Sequence, residues 1–345
     1  MLRFPETSWD KIKNSGKPVL VYGMGNGADK VIDELMRLEI PILGVTASDA
    51  FVRGQSFRGY TVRKISEFEG DFIIAVAFAS CIPEVMAHIL SLTERYEVLV
   101  PCVPVVGDEI INSDFVVRYK SEIIKAYSLF DNESQRIFAG CLEFMLSGDL
   151  QTLMSVTTDK DEAFENILKL SEHEHYLDLG AYKGDTIEEL LHYTSGKYSG
   201  IIALEPDVKT FRKLETFAEG LSGVELHRKA VYSFDGTVNF NSAAGRQSSI
   251  DKNGIETESV TVDELCKGKS VSYIKMDVEG AEIDAILGAK ETLSVKKPKL
   301  NIALYHKFTD IFEIPLLIHS INPEYKFHIR RHPYIPCWDM NFYCV

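Results

Sequence analysis

The chain has 345 residues, enough for two domains, and its 45% hydrophobic and 26% charged residues are typical of a globular protein. Its net charge of −14 disfavours a nucleic-acid partner, because an anionic surface repels a phosphate backbone and no Lys/Arg-rich run offsets it. The longest apolar runs, such as residues 72–79, are too short to cross a bilayer, so we expect no membrane span.

The first predicted unit is a small α/β sheet over residues 1–130. Residues 18–22 form an apolar run that ends in a glycine-rich turn, and apolar residues then recur at helical spacing up to residue 38. Further strands are predicted at 42–45, 72–78 and 98–100, with a helix at 83–92. Strands that alternate with helices favour a parallel, Rossmann-like sheet.

The glycine-rich turn of this unit, GMGNGA at 23–28, fits G-x-G-x-x-A and invites a nucleotide-binding interpretation. Against it, the next strand, PILGV, lacks the acidic residue that would bind a ribose. Two alternatives therefore stay open for this unit: a site for a nucleotide-linked sugar, or a packing or dimerisation domain. Dimerisation through this unit would make the protein a homo-oligomer. Arg53 and Arg58 lie among glycines in a loop that could bind an anion or simply be solvated.

Residues 131–171 are predicted to form a helical connector. Apolar residues share one face at 137, 141 and 144, as expected for a buried helix side. Asp159 is typical of an N-cap, with Glu162 three residues later and an apolar run following.

The second predicted unit covers residues 172–345 and has more strands than the first. After a strand that ends at residue 179, further strands are predicted at 200–204, 224–227, 238–240, 271–276, 300–304, 325–329 and 341–345. Helices or long loops separate most of them, whereas Pro333 and Pro336 break the last connection as in a hairpin. We therefore predict a second α/β fold, a mostly parallel doubly wound sheet that ends in an antiparallel pair.

A loop that suits a nucleoside ligand follows the first strand of this second unit. It reads Asp178-Leu-Gly180-Ala-Tyr182-Lys-Gly184-Asp185-Thr186. Gly180 permits a tight turn beneath a ligand, and the helix that Gly184 opens has free N–H groups for a carboxylate. The next strand ends in Glu205, which can accept hydrogen bonds from both ribose hydroxyls.

NAD and S-adenosylmethionine would both use this geometry. The loop departs from the dinucleotide pattern, however, because the second glycine comes four residues after Gly180 instead of two. S-adenosylmethionine has no pyrophosphate, and its ammonium suits Asp178 while its carboxylate suits the amides at 184–186. The loop therefore favours S-adenosylmethionine as the cofactor.

An acidic cluster follows the strand at 271–276. Asp277, Glu279 and Glu282 lie at the carboxyl edge of the predicted sheet, where folds of this kind place their active sites. Carboxylates stabilise a nearby sulfonium cation and can accept a hydroxyl proton. For Glu282 a second interpretation is a first-turn acid that favours the helix dipole.

Several of these segments occur in the same order as in a known enzyme family. DLGAYKGDT, LEPD, SSI at 248–250, SVTVDEL at 259–265 and YIKMDVEGAEIDAILGA at 273–289 resemble those of FkbM-type methyltransferases. The resemblance covers about half of the chain and implies the Rossmann-like class I methyltransferase fold, S-adenosylmethionine as donor and a hydroxyl acceptor on a sugar, glycan or natural product. It also implies that Asp178, Gly180 and Glu205 hold the cofactor and that Asp277 and Glu279 line the reaction cleft.

Further side chains are assigned from their positions. His306 follows the strand at 300–304, so it should face the same edge as Asp277 and is the preferred general base; a structural histidine is the alternative. We expect the acceptor to contact Ser249, Glu282 and His332. The chain lacks the N/D-P-P-Y/F motif of amino-methyltransferases and the adjacent acid–amide pair of metal-dependent ones, so we predict O-methylation without a metal.

Two other functions stay open at this point. The first is a nicotinamide-dependent oxidoreductase or epimerase that works through the N-terminal unit, and the second is a non-catalytic glycan-assembly protein with a decayed methyltransferase domain. The six scattered cysteines and the absence of a secretory signal indicate reduced thiols in a cytoplasmic protein.

Overall fold

The computed structural model describes residues 2–241, 249–250 and 254–345, and for residues 240, 241, 249 and 250 it describes the backbone alone. Its N-terminal part contains the predicted sheet, with the strand order β3-β4-β2-β1-β5-β6 and only β3 antiparallel. The strands are β1 (Val19–Tyr22), β2 (Ile42–Thr46), β3 (Ser56–Phe57), β4 (Tyr60–Arg63), β5 (Ile73–Val76) and β6 (Glu97–Leu99). The helices are α1 (Ser8–Ser15), α2 (Asn26–Arg37) and α3 (Pro83–Leu92).

Apolar spacing explains how α2 packs on this sheet. All four residues of β1 are buried, which is typical of a central parallel strand covered on both faces. Val31, Ile32 and Leu35 of α2 are buried in the same apolar cluster as Val19 and Val21 of β1. This arrangement is the strand–glycine–helix unit that the sequence predicts at residues 18–38.

The predicted connector is helical, and most of its helices begin at a capping side chain. Helix α4 (Ser113–Tyr127) precedes the connector, whose own helices are α5 (Asn132–Ser147), α6 (Leu150–Ser155) and α7 (Lys160–Glu162), followed by a π-helical segment, Ala163–Leu168. The Asp159 side chain accepts a hydrogen bond from the amide of Asp161, so the predicted N-cap is confirmed. The domain boundaries near residues 130 and 171 remain predictions.

The C-terminal part is a seven-stranded sheet with the order β16-β17-β15-β14-β7-β8-β9. Its parallel strands are β7 (His175–Leu179), β8 (Gly200–Leu204), β9 (Val224–His227), β14 (Tyr273–Met276) and β15 (Lys299–Ala303). The strands β16 (Phe327–Arg331) and β17 (Met340–Cys344) pair antiparallel, as predicted. In the structure β17 pairs with both β15 and β16 and therefore lies between them, whereas β16 forms the edge of the sheet. Helices α8 (Asp185–Tyr193), α9 (Val208–Ala218), α11 (Glu282–Leu287) and α12 (Asp310–Ile321) belong to this part.

The prediction that residues 238–240 belong to the main series of strands is wrong. They lie in β11 (Gly236–Asn241) of a separate four-stranded sheet with β10 (Ala230–Val231), β12 (Ser249–Ile250) and β13 (Ile255–Val260). A helical turn, α10 (Val262–Leu265), then leads back to β14. Residues 255–258 of β13 are largely solvent-exposed, in contrast to the buried strands of the main sheet. An apolar run alone predicts a strand but not the sheet that it joins.

One apolar core joins the two halves of the molecule. The same cluster contains Leu20 and Ile74 of the N-terminal sheet, Phe138 of α5, and Leu177 and Ile302 of the C-terminal sheet. The helical connector is therefore shared core and not an exposed linker. Within the described ranges, no helix is long and apolar enough to cross a membrane.

Candidate functional site

A cleft of about 390 Å³ lies at the carboxyl ends of the parallel C-terminal strands. Its walls include the loops after β7, β8, β14 and β15. The chain leaves β7 for β8 on one side and reaches β14 on the other, so this is where the strand order reverses. Doubly wound sheets bind their ligands at such a point, and the volume suits a small molecule.

The loop after β7 needs its two glycines for different reasons. Gly180 has φ +85°, and a side chain there would overlap the backbone oxygen of Asp277. Gly184 has φ +99°, and a side chain there would overlap the ring of Phe217. Gly180 therefore allows the loop to approach the β14 loop closely, whereas Gly184 allows Phe217 of α9 to pack against the start of α8.

Asp178 lies one layer behind the cleft wall. Its Oδ2 accepts a hydrogen bond from the Thr186 hydroxyl at 2.5 Å, which ties the strand end to the first turn of α8. Burial raises the pKa of Asp178 to about 7, and the Thr186 hydroxyl opposes this shift. Its Oδ1 is buried and has no hydrogen-bond partner within the described part of the chain. Thr186 and Asp185 themselves line the cleft.

Glu205 lines the cleft at the end of β8 and holds two loops together. Its Oε2 accepts from the amide of Tyr182 at 3.1 Å, and its Oε1 accepts from the amide of Asp207 at 2.8 Å. Burial raises the pKa of Glu205 to about 7, and the Asp207 amide opposes this shift. Tyr182, which also lines the cleft, has a positive φ of 48°, an uncommon conformation for a residue other than glycine. The hydrogen bond from its amide to Glu205 helps to hold this conformation.

The predicted carboxylates Asp277 and Glu279 both line the cleft. The Tyr305 hydroxyl lies 3.2 and 3.1 Å from the two oxygens of Asp277, and Lys275 Nζ lies 3.8 Å away. Glu279 has φ +52°, an uncommon conformation that is often found at functional sites. Burial raises the pKa of Glu279, although the adjacent His306 lowers it in part.

His306 lies beside Asp277, as its position after β15 predicts, but its side chain is fully buried behind the wall. Its Nε2 is 3.4 Å from Asp277 and 3.3 Å from Glu279, and its Nδ1 is 2.8 Å from Glu282. Burial lowers the pKa of His306, but Glu282 and Glu279 outweigh burial and raise it well above 6.5. An enclosed imidazole with a raised pKa is poorly suited to accept a proton from an alcohol in the cleft.

The residues predicted to contact an acceptor are dispersed. Glu282 is buried in the first turn of α11, and its Oε1 accepts from the amide of Val278 at 3.0 Å, so it shapes the loop below the cleft. His332 is buried too, with Nε2 2.9 Å from the hydroxyl of Tyr343, which lines the cleft. Ser249 lies in β12, where the side chain is outside the described part of the structure. The proposed contact at Ser249 remains a prediction.

An aromatic wall that the sequence analysis did not find lines one part of the cleft. Tyr305 and Trp338 have ring centroids 6.4 Å apart at 25°, and Trp338 and Tyr334 have centroids 5.8 Å apart. Asn301 and Asn341 also line the cleft, on the neighbouring strands β15 and β17. Only the pairing of β17 with β15 could have indicated them, because their sequence positions form no motif.

The N-terminal half contributes to this same cleft through Cys81 and Val105. Two antiparallel hydrogen bonds join Ser80 to Ile335, at 2.7 and 2.9 Å. The amide of Val106 donates to the carbonyl of His306 at 3.1 Å. Loops of the N-terminal half therefore pack directly on the loops that carry the acidic cluster.

The glycine-rich turn of the N-terminal half has a packing role. A side chain at Gly27 would approach the Ala77 carbonyl oxygen to 2.6 Å, so glycine allows α2 to lie against the end of β5. Arg58, one of two arginines considered for an anion-binding loop, pairs with Asp29 and Asp33 of α2. These contacts favour the packing interpretation over the nucleotide site.

The cleft thus combines a glycine loop, a strand-end glutamate and an acidic cluster on one sheet edge. Residues 178–330, which contain all three, match the family model described as the methyltransferase FkbM domain. The chain carries an FkbM methyltransferase domain. The resemblance predicted from DLGAYKGDT and YIKMDVEGAEIDAILGA is confirmed, and the protein is a methyltransferase.

The FkbM methyltransferase from Methylobacillus flagellatus has a similar structure, with a TM-score of 0.74 at 19% sequence identity. The likeness covers 97% of this chain and 92% of that one, so it extends over the N-terminal sheet and the connector. At this identity the likeness shows the fold, and the predicted α/β methyltransferase architecture is confirmed.

More distant structures share less of the fold. Fibrillarin from Aeropyrum pernix, solved with natively bound S-adenosyl-L-methionine, is 11% identical and covers 51% of this chain and 69% of its own. Its TM-score is 0.34. The sequence matches none of the curated proteins.

Proposed function

We propose that this protein is an S-adenosylmethionine-dependent O-methyltransferase that acts on a hydroxyl of a sugar, a glycan or a natural product. The observation that carries the proposal is the position of Glu205, which lines the cleft at the end of β8 beside the loop 180–186. Glutamate at this place is suited to bind the two hydroxyls of a ribose. The FkbM domain supplies the class of reaction.

Two observations support the fit of the cofactor. Asp178 Oδ1 is a buried acceptor without a hydrogen-bond partner in the described residues, and such an atom favours a nearby cation. Helix α8 begins after Gly184, which makes no side-chain capping hydrogen bond, and the positive end of a helix dipole suits a carboxylate. We propose that Glu205 binds the ribose, that the N-terminus of α8 binds the amino-acid carboxylate, and that Asp178 positions Thr186 and adds negative charge behind the ammonium.

The reaction needs little covalent participation from the protein. When bound, S-adenosylmethionine supplies an electrophilic methyl group, so the protein must orient an acceptor oxygen and remove its proton. Asp277 and Glu279 line the cleft, whereas His306 is enclosed behind them. The carboxylates are therefore the better-placed proton acceptors, and Tyr305 holds Asp277 in position.

The aromatic wall supports a carbohydrate or similar ring as the acceptor. Trp338 and Tyr305 present stacked rings to the cleft, and the apolar face of a sugar packs well on such a surface. The carboxylates of Asp277 and Glu279 line the same cleft and can accept hydrogen bonds from its hydroxyls. A cleft with both kinds of surface suits a polyhydroxylated acceptor.

Calorimetric titration of the full chain with S-adenosylmethionine tests the cofactor assignment. We expect one binding site, and Glu205→Ala should weaken it by about tenfold or more, because the ribose loses its acceptor and two loop amides lose theirs. Glu215→Ala on the exposed side of α9 is the matched control and should bind normally. Absence of binding by the native chain would contradict the proposal.

Formation of S-adenosylhomocysteine with candidate sugars and glycans tests the acceptor class. We expect turnover with a hydroxylated acceptor, and Trp338→Ala should raise its KM more than Trp338→Phe does, because phenylalanine keeps an aromatic surface. Binding of the cofactor without turnover of any acceptor would favour the non-catalytic alternative. A saturable titration with NAD(H) would instead favour the oxidoreductase alternative.

A further inference from the structure

Three side chains from separate elements converge below the floor of the cleft. Asp277 at the end of β14, Glu282 in the first turn of α11 and His306 after β15 each offer one ligand atom, and these atoms lie within 4.8 Å of one another. Their spacing is that of groups that could share one ion. Glu279 lies at the same place, 3.3 Å from His306.

Several buried polar atoms of this cluster lack a hydrogen-bond partner among the described residues. His306 is fully buried, yet neither of its ring nitrogens makes a hydrogen bond of acceptable geometry with any described residue. Glu282 Oε2 is buried without a partner in the same range of residues. Buried polar atoms are nearly always paired, so unpaired atoms on two neighbouring side chains indicate a ligand between them.

We propose that this cluster is a divalent-metal site with Asp277, Glu282 and His306 as ligands. One imidazole and two carboxylates form a donor set that suits Mn²⁺, Fe²⁺ or Zn²⁺. Around His306 lie the carboxylates of Asp277, Glu279 and Glu282, and Lys275 Nζ lies 3.8 Å from one of them, Asp277, so the cluster is rich in negative charge. A bound ion offsets that charge and gives the imidazole a partner.

The site is open on one side only. His306 and Glu282 are 0% and 1% exposed, whereas the Asp277 side chain is 27% exposed and lines the cleft. Three protein ligands would leave further coordination positions, as in catalytic metal sites, and Asp277 is the ligand that opens onto the cleft. If the proposed methyl transfer is correct, those positions would take an oxygen of the acceptor and make its hydroxyl more acidic. Metal binding itself does not depend on that role, and it is an alternative to the sequence-based prediction of no metal.

Titration of the EDTA-treated full chain with MnCl2 tests the proposal, with free Mn²⁺ measured by electron paramagnetic resonance. We expect one saturable site, and CoCl2 should give an absorption band typical of nitrogen and oxygen coordination. His306→Gln should weaken binding by at least about tenfold, since it removes a ligand. His328→Gln is the matched control, because His328 also contacts a carboxylate, Asp131, but lies away from the cleft.

A second variant guards against misfolding of the buried His306→Gln protein. Asp277→Asn changes a partly exposed ligand and should also weaken Mn²⁺ binding while circular dichroism stays native. The proposal is overturned if the folded native chain binds neither Mn²⁺ nor Zn²⁺, or if Asp277→Asn binds Mn²⁺ as the native chain does. Titration with S-adenosylmethionine in EDTA reports separately on the proposed function.

Discussion

Burial of two carboxyl groups in the proposed cofactor loops is energetically unfavourable in the free protein. Asp178 and Glu205 each have a pKa raised to about 7, in both cases because burial disfavours the charged form. A cation near Asp178 would favour its charged form and lower its pKa. The free protein therefore stores an unfavourable charge that a sulfonium- and ammonium-bearing ligand relieves, as is common at functional sites.

The linkage between pH and stability tests this view of Asp178. Its folded pKa of about 7 exceeds the ordinary value of 3.8 for an aspartate, so its stabilising contribution is present below pH 4 and is lost as the pH rises through 7. The loss is about 4 kcal/mol of unfolding free energy for a shift of this size. We expect Asp178→Asn to remove that fall between pH 4 and 8, measured by urea denaturation. Asp114→Asn on the exposed face of α4 should keep the native pH dependence, and an identical dependence in all three proteins would contradict the assignment.

At the scale of the elements, the sequence predicts features that depend on local patterns, but not those that depend on contacts between distant segments. The residues of the loop 178–186 and of the acidic cluster are encoded by short motifs next to apolar strands, so both were found from the sequence. The enclosure of His306 by three carboxylates and the aromatic wall depend on how separate loops meet. The strand at 238–240 was assigned to the wrong sheet for the same reason, since pairing partners are not visible in an apolar run.

The contact between the β7 and β14 loops gives an element-scale prediction. Gly180→Ala should destabilise the protein by well over the roughly 1–2 kcal/mol expected for a positive φ alone, because the alanine side chain would overlap the Asp277 backbone. Gly196→Ala is the matched control: it has φ +77° with open space around it, so only backbone strain applies. Equal losses of unfolding free energy in urea for the two variants would show that the loops do not pack as described. Binding of S-adenosylmethionine should weaken only in Gly180→Ala.

For the whole molecule, the shared core makes the N-terminal half part of the enzyme. The cluster that includes Leu20 and Ile74 continues through α5 into the C-terminal sheet. Cys81 and Val105 line the cleft, and Val106 binds the His306 carbonyl. Because the two halves share this core, we expect them to unfold together, in contrast to domains joined by a linker. Separate folding of the two halves is therefore not expected.

The two tryptophans make this testable, because one lies in each half. Trp9 is buried in the apolar cluster between α2 and the N-terminal sheet, and Trp338 lies in the cleft wall. Trp338→Phe leaves Trp9 as the only fluorescent indole, and Trp9→Phe leaves Trp338. Each variant should show the same urea midpoint by its own fluorescence and by far-ultraviolet circular dichroism, because unfolding of a continuous core is cooperative. A fluorescence midpoint that departs from the dichroism midpoint of the same variant would mean that the halves unfold separately, and the connector would then act as a linker.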